Sequence, residues 1–275
     1  MTASYDSRDT ICVLFFGDLV GKPGRRAMKH CLPGLLEQYR PDLVIANGEN
    51  ASGGFGLTVD VASEMFDAGV DIITSGNHIW DKKEIIDYLE QTPTLIRPAN
   101  YPNGTPGGGT ALVTTHSGVR VSIINLIGRR FMGLFDDPFA MADRIVSDAK
   151  KETPVIIVDF HGEDTREKAA FARYLDGRVS AVIGTHTHIQ TADERVLPEG
   201  TAFITDAGMT GPTDSVIGVK AERAVARFLT SIPQRFDTAK AGLEAQGVLV
   251  YIEPHSGRAR SIERFRERPV QKGRS

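Results

Sequence analysis

Five short apolar runs, spaced along the chain and separated by helix-like stretches, restrict this sequence more than any other feature. They are I-C-V-L-F-F (11–16), D-L-V-I-A (42–46), D-I-I-T (71–74), P-V-I-I-V (154–158) and V-S-A-V-I (179–183). An amphipathic stretch follows the first run from Pro23 to about Tyr39, with a bend expected at Pro33. Thr58 opens and Gly69 closes the next helix, Asp81 is expected to cap a third, and a fourth covers about 165–176. Strands alternating with helices build parallel βαβ units in a buried sheet. Two segments break the alternation and read as hairpins. One is 110–126, turning at Ser117-Gly118; the other is 246–263, turning near His255-Ser256-Gly257. Met141 to Lys151 and Ala221 to Thr230 read as further helices. Neither a repeat nor a low-complexity linker divides the 275 residues. The expectation is one α/β domain over 1–275 with two packed, mixed sheets, and flexible ends at about 1–10 and 266–275.

The residues just past each strand are chemically alike. Asp18 comes after the first run, Glu49 and Asn50 after the second, and Asn77 and His78 after the third. His161 comes after the fourth, and His186 and His188 after the fifth. Ligands of open α/β sheets collect outside the carboxyl ends of the strands, so these donors are expected to share one region. Imidazole, carboxylate and amide oxygen together make a metal-ligand inventory. Eight candidates exceed the needs of one ion, and a pair of ions about 3.5–4 Å apart sharing a carboxylate uses them better. In extended backbone His186 and His188 would point the same way, about 6–7 Å apart, one for each ion. His30, His116 and His255 fall in a helix and two hairpin turns, outside this set. Trp80 is placed to pack beneath the G-N-H loop or to wall the pocket, and the glycine-rich stretch 51–56 to approach a phosphate or act as a lid.

Bulk properties narrow the partners. A formal net charge of −3 gives no global attraction to nucleic acid or anionic membrane. The local exception is the end of the chain, where Arg258, Arg260, Arg264, Arg266, Arg268, Lys272 and Arg274 face only Glu263 and Glu267. A solvated basic end is the simpler reading, and an RNA- or anion-contacting arm the other. Cys12 and Cys31 form no disulfide framework and read as small apolar residues of a reduced, cytoplasmic protein. No run reaches the ~18 apolar residues of a membrane helix. G-D-L-V-G-K after the first strand lacks the glycine pattern of a dinucleotide fingerprint.

The ordered set G-D, G-E-N, G-N-H, a lone His and G-T-H-T-H resembles the calcineurin-like metallophosphoesterases. The longer strings G-D-L-V-G-K-P-G, N-G-E-N-A-S-G-G-F-G-L, S-G-N-H-I-W-D and G-T-H-T-H-I-Q-T-A-D-E are similar to those of the bacterial YmdB-type branch, along nearly the whole chain. The resemblance implies a four-layer αββα sandwich and a dinuclear centre of iron or manganese, ahead of zinc or magnesium. It also implies phosphodiesterase activity on cyclic nucleotides such as 2′,3′-cyclic AMP, and a homodimer or homotetramer. By position, Asp18 and His188 would bind one metal, Glu49 would bridge, and Asn77, His161 and His186 would complete the second. Asn50 would sit at the first metal or contact substrate, and His78 would be the non-ligand acid. Two departures from the wider superfamily stand out. Val20 occupies a place where many members carry histidine, and Glu49-Asn50 stands where many read G-D-x-x-D or G-D-x-x-N.

The expected chemistry is in-line hydrolysis of a phosphodiester by hydroxide held between the ions, with His78 protonating the leaving oxygen. Two other readings use the same residues: a regulatory nucleotide- or partner-binding protein with slow incidental turnover, and an RNA-acting nuclease that exploits the basic end.

Overall fold

A computed structural model of the chain describes residues 9–269. In chain order its first part contains β1 (Ile11–Phe16), β2 (Asp18–Leu19), α1 (Gly21–Tyr39), β3 (Leu43–Asn47), α2 (Val59–Asp67), β4 (Ile72–Thr74) and α3 (Ile85–Gln91). The middle contains β5 (Thr110–Thr114), β6 (Arg120–Ile127), α4 (Pro138–Ala149), β7 (Ile156–His161), α5 (Thr165–Tyr174) and β8 (Ala181–Thr185). The last part contains β9 (Arg195–Val196), β10 (Ala202–Ile204), β11 (Met209–Pro212), α6 (Ala221–Thr230), β12 (Leu243–Ile252) and β13 (Ala259–Glu267).

The strands form two mixed sheets. One runs β2-β11-β12-β1-β3-β4, with β13 paired to β12; the other runs β5-β6-β7-β8-β10-β9. β1, β3 and β4 are mutually parallel, as are β6, β7, β8 and β10. The two expected hairpins are β5–β6 and β12–β13, both antiparallel.

The period-two alternation of each strand divides its side chains between two cores. In β1, Ile11, Val13 and Phe15 face a core shared with Ile123, Ile157 and Ile183 of the other sheet. Cys12, Leu14 and Phe16 face the opposite way, onto Met28 and Leu32 of α1 and Met65 of α2. β7 does the same in mirror image. Ile157 joins the inter-sheet core, while Ile156, Val158 and Phe160 pack under Val146 of α4 and Phe171 of α5. Helices, sheet, sheet, helices: this is the four-layer αββα sandwich. Each of these strands buries both faces, which is why it reads as an unbroken apolar run.

Local chemistry sets the helix starts. Thr58 caps α2 by accepting from the Val61 N–H at 3.3 Å. Asp137 caps α4, with Pro138 in its first turn, and Asp164 caps α5 through the N–H groups of Arg166 and Glu167. The expected cap at Asp81 is not formed. Ile79–Asp81 is a single 3-10 turn and α3 begins at Ile85. The Asp81 carboxylate is taken by His78 Nδ1 at 3.0 Å and is not aimed at a following N–H.

The basic stretch from Arg258 to Glu267 is mostly an ordered strand. Arg264 pairs with Glu194 at 2.8 Å and Arg268 with Glu244 at 2.9 Å, and Arg260 pairs with Glu253. Of the end segments expected to be flexible, Arg266 and Glu267 belong to β13, while residues 1–8 and 270–275 lie outside the described residues. Among the described residues no helix is long and apolar enough to cross a membrane.

Candidate metal centre

The parallel registers align the carboxyl ends of strands in both sheets. Asn47 of β3 stands beside Thr74 of β4, and His161 of β7 stands between Ile127 of β6 and Thr185 of β8. All eight residues singled out from the sequence meet at this edge. Asp18, Glu49 and His161 are almost wholly buried, Asn50 nearly so, and Asn77, His78, His186 and His188 line the exposed side.

Two donor groups result. Glu49, His161 and His186 form one, and Asp18, Glu49 and His188 the other; within each, one ligand atom per residue lies within 4.8 Å of its partners. Glu49 belongs to both.

The contacts around His161 Nε2 are too many for a proton to explain. Asn77 Oδ1 lies 3.1 Å away, Glu49 Oε1 3.2 Å and His186 Nδ1 3.0 Å. One ring N–H satisfies one acceptor, yet three atoms with lone pairs converge on it. Nearby, Asp18 Oδ1 and Asn50 Oδ1 are buried with no hydrogen-bond partner among the described residues. Buried orphan acceptors beside crowded lone pairs are costly in a protein-only site. A cation satisfies all of them, so the residues fit a metal pair.

The electrostatics follow the same crowding. Burial drives the Glu49 carboxyl up, but the charge and direct contact of His161, with His78 and His186, outweigh it and hold it at about 2. Burial lowers His161, yet Glu49 first and then Asp18 and Asp159 raise it to about 9. Burial, aided by the charge of His161, takes His186 down to about 3. Burial lifts Asp18 to about 7 against the pull of His188 and His161.

The two motif histidines reach the site by a different route from the one their spacing suggested. The extended backbone ends at Thr185, and His186 (φ 104°) and His188 (φ 64°) both take left-handed conformations. Such conformations are uncommon for residues with a side chain and must be held by their surroundings. The clamp is Asp206. Its Oδ2 accepts from the N–H and hydroxyl of Thr187, at 3.0 and 2.8 Å, and from Lys168 Nζ at 2.8 Å. Lys168, fully buried, also donates to the Thr185 carbonyl at 2.8 Å. Lys168→Met strands the Asp206 charge, although three donors remain on it. The expected cost is about 3 kcal/mol. That is a fall in Tm of roughly 6–12 °C, measurable by thermal denaturation.

Each imidazole is oriented through its other nitrogen. His188 Nδ1 donates to the Ile217 carbonyl at 2.9 Å, and His186 Nε2 meets Glu163 Oε2 at 3.1 Å. His161 Nδ1 bonds Thr185 Oγ1 at 2.9 Å, and Thr185 donates to Asp159 Oδ1 at 2.7 Å. Metal-binding histidines are commonly tied in this way, which fixes tautomer and ring angle. Asp159 also joins the sheets, accepting from Asn47 Nδ2 at 3.0 Å and Thr74 Oγ1 at 2.5 Å. Sequence reasoning missed Asp159, Glu163, Thr185, Lys168 and Asp206. For Asp159 a local signal existed, since it lies two residues before His161 and so on the same side of β7. Glu163→Gln is expected to weaken metal binding about 10–100-fold, read by titration of the metal-depleted protein.

The motif glycines have a packing reason. A Cβ on Gly76 would lie 2.3 Å from Glu49 Oε2 and 2.4 Å from His161 Nε2, inside the donor cluster itself. A Cβ on Gly17 would meet the Gly208 carbonyl oxygen at 2.1 Å.

The donors open into a cavity of about 260 Å³ bounded by Val20, Phe55, Ile217, Val219 and Phe236. Val20 thus presents an alkyl wall to the cavity beside the donors. Gly54 and Phe55 of the glycine-rich stretch and Ile217 of the 206–217 stretch border the cavity. In the 100–109 stretch, Tyr101 supports the G-N-H loop from behind, stacking edge-on against Trp80 at 5.5 Å. His30, His116 and His255 are exposed, away from the donors.

A family model described as YmdB-like protein matches residues 14–265, most of the chain. The chain belongs to the YmdB-like family. A Bacillus subtilis relative named 2′,3′-cyclic-nucleotide 2′-phosphodiesterase is 49% identical over 253 residues, covering 92% of this chain and 96% of the relative. A crystal structure of a hypothetical protein from Thermus thermophilus is 42% identical with a TM-score of 0.88, covering 94% of this chain and all of that one. The crystal structure of a novel phosphatase from Mycoplasma pneumoniae is 34% identical with a TM-score of 0.89, covering 94% of each chain.

Proposed function

We propose that this YmdB-like chain is a metal-dependent phosphodiesterase acting on 2′,3′-cyclic nucleotides, the substrate class in the name of the Bacillus subtilis relative. The observation that carries the reading is the convergence of Asn77, Glu49 and His186 on His161 Nε2, joined through Glu49 to Asp18 and His188. In this reading Asp18, Glu49 and His188 hold one cation, with Asn50 beside it. Asn77, His161, His186 and the shared Glu49 hold the other. Imidazole mixed with carboxylate and amide oxygen suits iron or manganese, ahead of zinc or magnesium. Bound there, a metal pair supplies neutralisation of the phosphodiester charge and acidifies water at neutral pH.

The chain's own residues do the rest. Glu163, the Ile217 carbonyl and the Asp159–Thr185 pair keep the imidazoles in register. Val20, Ile217 and Val219 exclude bulk water from one side of the cavity. His78 delivers the proton to the leaving oxygen, with Asp81 holding its Nδ1. We also read the chain as one catalytic domain, cytoplasmic and homo-oligomeric, as a dimer or tetramer.

Metal analysis of the purified protein, paired with turnover of 2′,3′-cyclic AMP, tests the proposal. The expected result is up to two ions per chain and opening of the cyclic phosphate to a monophosphate. Tight nucleotide binding without turnover would replace the enzyme with a regulatory binder. No metal and no turnover would end the reading. The nuclease alternative gains little, because several arginines of the basic stretch are neutralised by glutamates in place.

A further inference from the structure

The cavity combines two chemistries. The donors and Glu163 share it with an uncharged wall of Phe55, Ile217, Gly218, Val219 and Phe236, and this wall begins beside the donors, where the Ile217 carbonyl accepts from His188 Nδ1 at 2.9 Å. An aromatic row runs along the wall. The Phe55 ring lies 4.9 Å from His78 and 5.1 Å from Phe236, both edge-to-face. The row begins at the donors, because the His78 N–H donates to Glu49 Oε2 at 3.2 Å.

Phe236 is 43% exposed although its backbone is pinned. Lys220 N–H donates to the Asp237 carbonyl and Ala239 N–H to the Gly218 carbonyl, each at 2.9 Å, and Val219 and Thr238 form an antiparallel bridge. Thr238 Oγ1 then donates to the Gly53 carbonyl at 3.2 Å, tying this segment to the loop that carries Phe55. Two segments far apart in sequence thus hold two aromatic rings at the mouth of one cavity. Exposed aromatic surface fixed beside an anion-binding centre suits a ligand with a phosphate at one end and a flat, uncharged ring at the other.

We propose that Phe55 and Phe236 form a stacking platform for the nucleobase of the substrate and select nucleosides over other cyclic phosphates. This rests on the phosphodiesterase reading of the same site.

The test uses metal-loaded wild type, Phe55→Ala, Phe236→Ala and the conservative Phe236→Tyr. Two substrates share the reacting group: 2′,3′-cyclic AMP and methyl riboside 2,3-cyclic phosphate, which lacks the base. The ratio of kcat/KM values, nucleotide over base-free, is expected to fall about 5- to 150-fold in the alanine variants. The change falls mainly on KM, and Phe236→Tyr restores most of the preference. In parallel, calorimetry compares adenosine 3′-monophosphate with ribose 3-phosphate. The wild type is expected to prefer the nucleotide and the alanine variants to lose that preference. An unchanged ratio in both alanine variants, or equal binding of the two ligands by wild type, overturns the platform. Absence of turnover on both cyclic phosphates would sink the phosphodiesterase reading instead, and the binding comparison would still decide the platform.

Discussion

Glu49→Gln is expected to yield a folded protein that retains little metal and loses at least about a thousandfold of its phosphodiesterase activity. Glu49 is the residue common to both donor groups, so its charge serves two sites at once. Glutamine preserves the shape and the bond accepted from the His78 N–H. It removes the negative charge and can turn an NH2 group toward His161 Nε2, 3.2 Å from Oε1 in the native site. Losing about 4 kcal/mol of metal-derived stabilisation corresponds to roughly a thousandfold in rate. Elemental analysis, thermal denaturation and turnover of 2′,3′-cyclic AMP check it together. Full occupancy of two ions in the variant would remove Glu49 from the shared position.

His78→Ala is expected to keep its metal and lose about 10²–10⁴ in kcat on substrates with an alkoxide leaving group. The loss should shrink for a nitrophenolate, which departs without a proton. The geometry supports that separation of roles. His78 touches Glu49 only through its backbone N–H, its Nδ1 is held by Asp81 at 3.0 Å, and its Nε2 has no partner among the described residues. Asp81→Asn should fall between wild type and His78→Ala on the same substrates, because the ring is then less well oriented. A His78→Ala enzyme that opened 2′,3′-cyclic AMP at the wild-type rate would take the acid role away from this residue.

The layers were legible because burial of both strand faces leaves a local signature. Ile11–Phe16 is apolar at every position, and the structure divides those positions between two cores. The hairpins at 117–118 and 255–257 were readable from turn residues alone. The helix expected from Asp81 was not, because its carboxylate had a competing partner in His78. The left-handed His186 and His188 were likewise invisible. The H-x-H spacing suits an extended segment, and the clamp that prevents it comes from Lys168 and Asp206 elsewhere in the chain.

By itself the sequence determined the five core strands, the residue types delivered near their carboxyl ends and the family, since strand period, turn chemistry and donor type are properties of neighbouring residues. It did not determine the strand edges: β7 runs on to include His161 and β8 runs on to Thr185, past the apolar runs. Tertiary structure alone decided which groups stand behind the donors. Asp159 meets Asn47 across 112 positions, and His186 N–H meets Asp18 across 168. Such pairings depend on how one sheet is laid on the other, and a linear pattern carries no record of that angle or register.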